Sequence, residues 1–94
     1  MAIHHLEPRD DAAAWLAGRC LRRSRWSADA GTVFPSHRHD ATKLLYVERG
    51  SIEFNGIPLM ATAGIRIDER TEHRASVGPE GVTCVEAFDA RRDA

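Results

Sequence analysis

Cysteine is scarce in this chain, and so are long apolar runs and any imbalance of charge. The two cysteines, Cys20 and Cys84, show no zinc or redox spacing, so both are expected as free thiols in a cytoplasmic protein. Acidic and basic residues number 14 and 13, for a net charge of -1, and they are mixed along the sequence. A nucleic-acid groove or a membrane-binding face needs basic clustering, so neither partner is expected. The one basic run, Arg19, Arg22, Arg23 and Arg25, would be split between two faces of a strand and reads as a solvated edge. No stretch approaches the ~20 apolar residues of a membrane span. The N-terminus also lacks the charged-then-apolar layout of a secretory signal.

What remains is enough for one small domain. A chain of 94 residues buries somewhat over ~60% of its unfolded surface, so its core is modest. Neither a repeat nor an interdomain linker is visible. Residues 1–20 are expected as an N-terminal arm, 21–90 as a β-barrel and 91–94 as a polar tail. Within the arm, Asp10 to Ala17 opens with acid, is rich in alanine and is followed by Gly18, which are helix start and stop signals. Two turns of helix persist only by leaning on the body, here through Trp15 and Leu16. His4 and His5 fall near the chain end and are expected to be loose and without a ligand role.

From Leu21 onward short strands alternate with turns. They are expected at Leu21 to Ala28, Thr32 to Phe34, Lys43 to Val47, Ser51 to Asn55, Ile57 to Met60, Gly64 to Ile67, Arg74 to Val77 and Val82 to Phe88. Asn55-Gly56 is the sharpest hairpin signal, because a type I′ turn needs positive φ at both central residues. Gly78-Pro79-Glu80-Gly81 reads as a further turn. Seven or eight short strands with frequent turns indicate an all-β antiparallel sandwich or barrel.

The chemistry concentrates at His37-Arg38-His39, with His73 downstream. Side chains alternate along a strand, so His-x-His aims two imidazoles to one side. Neutral imidazole is the commonest protein metal ligand, and a third histidine from a distant strand completes a set with open positions.

Gly31, five residues, His37-x-His39, three residues, position 43, six residues and Gly50 reproduce the spacing of the first cupin motif. Gly64, Ile67 and His73 match an eroded second motif, in which Asp68, Arg70 and Val77 replace the usual proline, glycine and asparagine. Between Arg25 and Phe88 the chain therefore resembles a small single-domain cupin. That resemblance implies a jelly-roll barrel with a divalent transition metal (Zn, Fe, Ni, Mn or Cu) on His37, His39 and His73. It also implies dioxygenase- or isomerase-like small-molecule chemistry, or a non-catalytic sensor barrel of the kind found in sugar-responsive regulators. Small cupins often pair, and barrel edges invite pairing, so a homodimer is expected.

One residue departs from the motif. The usual glutamate ligand is Lys43, whose ammonium donates hydrogen bonds but does not coordinate. Like unit charges ~4 Å apart cost ~4 kcal/mol at an effective dielectric near 20, so beside a metal Lys43 is repelled. Three readings follow. Lys43 turns outward or pairs with an acid while the metal stays on the histidines; or it replaces the metal as a cation for an anionic ligand; or it is structural and the pocket vestigial. Glu86 is the acid in reach if Cys84 and Glu86 face the barrel interior; the plainer expectation is that Glu86 meets solvent and Val85 packs inside. Cys84 is expected as a small buried hydrophobe beside the pocket. Tyr46 should face away from Lys43. Trp26 and Phe34 are read as core or barrel-mouth residues, and Arg66 and Arg70 as solvated unless an anionic substrate engages them.

Overall fold

A computed structural model of the chain describes residues 2–19 and 22–89. Cys20, the first residue of the expected strand at Leu21, and the polar tail 91–94 lie outside the described residues. Among the described residues, seven strands and one helix follow in the order β1 (Ile3–Leu6), α1 (Ala12–Gly18), β2 (Arg23–Ala28), β3 (Val33–His37), β4 (Thr42–Phe54), β5 (Ile57–Met60), β6 (Gly64–Ile67) and β7 (His73–Asp89). All pairings among them are antiparallel.

Two long strands make the barrel. The first half of β4 lies between β6 and the second half of β7, which carries β2 on its other side; the second half of β4 lies between β5 and the first half of β7, which carries β3. Both strands therefore pass from one wall to the other. The bend falls at register shifts between Val47 and Arg49 and between Gly50 and Ile52, where extra residues kink a strand and increase its twist. Gly50 sits at that bend with φ +78, and a Cβ there would lie 2.0 Å from the Gly81 carbonyl oxygen, so only glycine is accommodated.

The count of seven is within the expected seven or eight, but the strand boundaries differ. Lys43 to Val47 and Ser51 to Asn55 are two halves of β4, and Arg74 to Val77 and Val82 to Phe88 are two halves of β7. Gly78 to Gly81 does not end a strand: Gly50 pairs with Val82 and Ile52 with Val77, so these four residues bulge between paired flanks. The Asn55-Gly56 hairpin is as expected, with φ of 50 and 83.

The alternation of β4 sorts the core into two clusters. Leu45, Val47, Ile52 and Phe54 point between the walls, where they meet Leu59, Ile65, Ile67, Ala75, Val77, Val82 and Cys84. Leu44 and Tyr46 point out, where α1 covers them with Ala12 and Leu16 over Val85 and Ala87. Trp15 meets the Tyr46 ring edge-on at 5.8 Å, and the Tyr46 hydroxyl donates to the Glu7 carbonyl at 2.7 Å. The short helix thus persists through tertiary packing, as its length demands.

The N-terminal arm is not loose. Ile3–Leu6 pairs with the edge of β6, and the Asp68 amide donates to the Ala2 carbonyl. His4 Nε2 lies 2.9 Å from Asp68 Oδ2, and Arg66 Nε donates to the other carboxylate oxygen at 3.2 Å. The signal missed was an edge: β6 offers unpaired backbone groups that a nearby segment satisfies. His4 holds the Asp68 carboxyl below its ordinary value by hydrogen bonding, with Arg66 adding to the effect. A carboxyl depressed in the folded state stabilises the fold fully above its unfolded value, 3.8, and loses that contribution as pH falls through the folded value. Urea unfolding between pH 5 and pH 2.5 should therefore show a steeper acid loss in the wild type than in Asp68→Asn; identical slopes would refute the latch.

Candidate metal centre

Strand register assembles the three histidines. His37 and His73 are directly opposite each other in the β3·β7 ladder, so their side chains emerge on the same face. Their ring centroids are 4.3 Å apart. His39 lies two residues on, just past the end of β3, with centroids 4.8 Å from His37 and 5.3 Å from His73. The Arg70 amide donates to the His39 carbonyl at 2.7 Å and holds this turn. One ring nitrogen from each histidine lies within 4.8 Å of the others. Two nitrogens sharing one ion at ~2.1 Å in a tetrahedral set are ~3.4 Å apart, so binding requires the widest pair to draw together by roughly an ångström or more, within reach of side-chain rotation.

The backbone orients the rings. His37 Nδ1 lies 2.8 Å from the Pro35 carbonyl oxygen, and His73 Nδ1 2.9 Å from that of Thr71. A carbonyl only accepts, so each Nδ1 carries the proton and each Nε2 keeps its lone pair. His73 is 1% exposed, and the Nε2 atoms of His39 and His73 are buried without a hydrogen-bond partner among the described residues. An unpaired buried ring nitrogen is costly, and a cation is one group that would satisfy both. Burial pushes the pKa of His39 below the ordinary histidine value, with the positive charge of Lys43 as the next cause. Burial likewise lowers His73, against the opposing pull of the Thr71 carbonyl. Both imidazoles are thereby favoured in the neutral form that coordinates. The donor set fits a borderline transition-metal ion.

Lys43 and Glu86 form the opposite side of the site. Lys43 pairs across the ladder with Phe88, and Leu45 with Glu86, so positions 43, 45, 84, 86 and 88 share the inward face. Lys43 Nζ reaches diagonally to Glu86 Oε1 at 3.0 Å, and the same oxygen accepts from Trp26 Nε1 at 2.8 Å. The expectation that Glu86 meets solvent is overturned. Val85 is buried as well, but in the outer cluster beneath α1. Because both faces of this strand are apolar, alternation alone did not reveal its phase. A buried lysine at position 43 was the available signal, since it demands an inward acid on an adjacent strand. Lys43 is 7% exposed and paired, so the reading in which it turns to solvent is excluded.

His37, His39 and the ion pair border one cavity of about 310 Å³, walled also by Trp26, Phe34, Phe54, Ala75 and Phe88, while His73 lies buried behind the other two histidines. Trp26 and Phe34 meet edge-on at 5.5 Å, and Phe88 lies against His39 at 4.9 Å. Phe88 is 40% exposed and forms the rim. A cleft of about 390 Å³ among residues 27–30, 49–50 and 79–83 is larger but contains no histidine. Cys84 is buried and its thiol is pushed up to about 12 by desolvation, which makes it an inert packing group. Tyr46 faces away from the cavity. Arg66 and Arg70 are exposed and paired with Asp68 and Glu69, outside it.

Comparison with known proteins identifies the architecture. No protein-family profile and no curated protein matches the chain. Among solved structures, it is similar to an RmlC-like cupin from Shewanella frigidimarina NCIMB 400, with a TM-score of 0.67 and 23% identity over 78% of this chain and 68% of that one. It is also similar to KdgF from Halomonas sp., with a TM-score of 0.66 and 24% identity over 78% and 72%. A third likeness is to a chain of the Rhodobacter sphaeroides SigE complex with the anti-sigma ChrR, with a TM-score of 0.66 and 20% identity over 71% of this chain. The protein spans only 38% of that chain's length. The fold is that of a small cupin: an all-β jelly-roll barrel with a three-histidine cluster at its cavity. Among the described residues, no helix is long and apolar enough to cross a membrane.

Removing one member of the buried pair strands the other charge. Lys43→Met should cost roughly 3 kcal/mol, the lower end for a buried pair because the Glu86 side chain keeps 13% exposure. The double variant Lys43→Met/Glu86→Gln should recover most of that loss in urea unfolding. Additive single and double effects would show that the two groups do not interact.

Proposed function

We propose that this protein binds a divalent transition metal through His37, His39 and His73 and receives a small molecule in the adjoining cavity. The observation that carries the reading is the pair of buried Nε2 atoms on His39 and His73, without a partner among the described residues, beside a His37 ring oriented by the Pro35 carbonyl. A bound ion of this kind supplies Lewis-acid or redox chemistry at its open positions. The chain contributes the rest. The carbonyls of Pro35 and Thr71 hold the tautomers, the aromatic walls offer an apolar surface, and Lys43 with Glu86 provides a fixed polar surface facing the ligand. Dioxygenase- or isomerase-like turnover is the catalytic form of this proposal.

A second reading is a ligand-binding module that acts through a partner protein. It is supported by the SigE–ChrR likeness and by the state of the cavity's other ionisable groups: Lys43 and Glu86 are tied to each other rather than free for proton transfer. A cytoplasmic setting suits the buried, unoxidised thiol of Cys84 in either case.

Elemental analysis of protein purified without a histidine tag should find close to one equivalent of metal, and His37→Ala/His73→Ala should abolish it. Less than a tenth of an equivalent in the wild type, or full retention in the double variant, would refute the site. We further propose a homodimer, on the ground that the wall β3-β7-β4-β5 ends, among the described residues, in the edges of β3 and β5, with Val33 and Met60 exposed. Light scattering at micromolar concentration should give twice the chain mass of 10.4 kDa; a monomer would overturn this.

A further inference from the structure

The cavity has an unusual charge arrangement. All three candidate metal ligands are histidines, which coordinate as neutral imidazoles, and the one carboxylate lining the cavity among the described residues, Glu86, is committed to Lys43 and Trp26. A divalent ion held there would meet no uncommitted carboxylate among the described residues that line the cavity, inside a space walled by Trp26, Phe34, Phe54, Ala75 and Phe88. Charge in such surroundings calls for a counter-charge, and no described side chain lining the cavity has one to spare. The ligand must bring it.

Lys43 adds a second attraction for the same group. Its ammonium has three N–H donors, of which one serves Glu86. It also sits 5.4 Å from the Phe88 ring centroid, on the way in from the rim. Apart from the histidines and this pair, the lining residues are aromatic rings and Ala75, and the indole N–H of Trp26 is already donated to Glu86. The rest of the ligand therefore meets apolar surface. A volume of about 310 Å³ falls at the small end of ligand sites, which run from about 300 to 1,000 Å³.

We propose that the cavity is selective for a small organic monocarboxylate with a compact apolar body, its carboxylate lying between the histidine-held ion and the Lys43 ammonium and its body against Trp26, Phe34 and Phe54. This assigns Lys43 a purpose as an anion-binding residue and rests on the metal reading above.

The test uses zinc-loaded protein with benzoate as probe and benzyl alcohol as its uncharged counterpart, followed by calorimetry, with zinc content read on the same samples. Benzoate should bind about tenfold or more tighter than benzyl alcohol. In zinc-loaded Lys43→Met/Glu86→Gln, which keeps all three histidines, benzoate should weaken by about tenfold or more, whereas Lys43→Arg should retain most of the affinity. Equal binding of the two probes, binding of neither at millimolar concentration, or unchanged benzoate affinity in the double variant would overturn the proposal while leaving the metal site intact. Failure of the wild type to take up zinc would overturn the metal reading and this inference with it. Discrimination between the two probes by the wild type decides the carboxylate preference even if the double variant does not fold, and in that case Lys43→Met alone, again zinc-loaded, decides the part of Lys43 by the same tenfold criterion.

Discussion

The antiparallel pairing of β4 with β7 is the constraint on which the rest of this structure depends. These two strands run the length of the barrel, bend together near Gly50 and Gly81, and belong to both walls. One end of β7 faces β3 and places His73 opposite His37. The other end faces the start of β4 and places Glu86 diagonal to Lys43. A slip of one residue in this ladder would turn the Leu45 and Val47 face outward and carry the ion pair out of the cavity with it. The hydrophobic pattern that makes the core thus also sets the position of the polar site.

The Lys43–Glu86 pair follows from that register, and neither residue is tenable without the other. Pairing two charges in a poorly solvated place gives back their desolvation cost at best, so the pair is a poor explanation of stability. Its effect is on the site. It occupies the only carboxylate bordering the cavity among the described residues, and it leaves the three imidazoles as the donor set. The Trp26 indole bond to the same oxygen fixes the carboxylate from the far side, so the pair is held from two directions.

Much of this was legible in the sequence, and the limits have physical causes. His37, His39 and His73 were legible because strand alternation and glycine spacing agreed, and the Asn55-Gly56 hairpin because few residues tolerate its backbone. Tyr46 and Lys43 separated to opposite faces by period two. The phase of residues 82–88 was not legible, since Val82 and Cys84 on one side and Val85 and Ala87 on the other are all apolar, and both sides are in fact buried. Strand β1 was hidden for a different reason: four residues with two histidines carry little strand signal, and what orders them is the open edge of β6, a long-range partner. The fusion of short strands into β4 and β7 was hidden by the bend residues, whose glycines serve equally in turns and in bulged strands.

The neutral donor set also bears on how occupancy of the site would be controlled. Burial disfavours protons on His39 and His73, so near neutral pH few protons compete with a metal there. Against this, no uncommitted carboxylate among the described residues lining the cavity would offset a bound ion, and Lys43 stands nearby as a like charge. An anion arriving in the cavity relieves that repulsion, so it strengthens metal binding; by linkage the metal strengthens anion binding by the same factor. In a barrel with a glutamate at position 43 the counter-charge is built in and that coupling is weaker. In the proposed metal site, lysine at this position, held inward by Glu86, would move part of an ion's electrostatic stabilisation from the protein to the ligand.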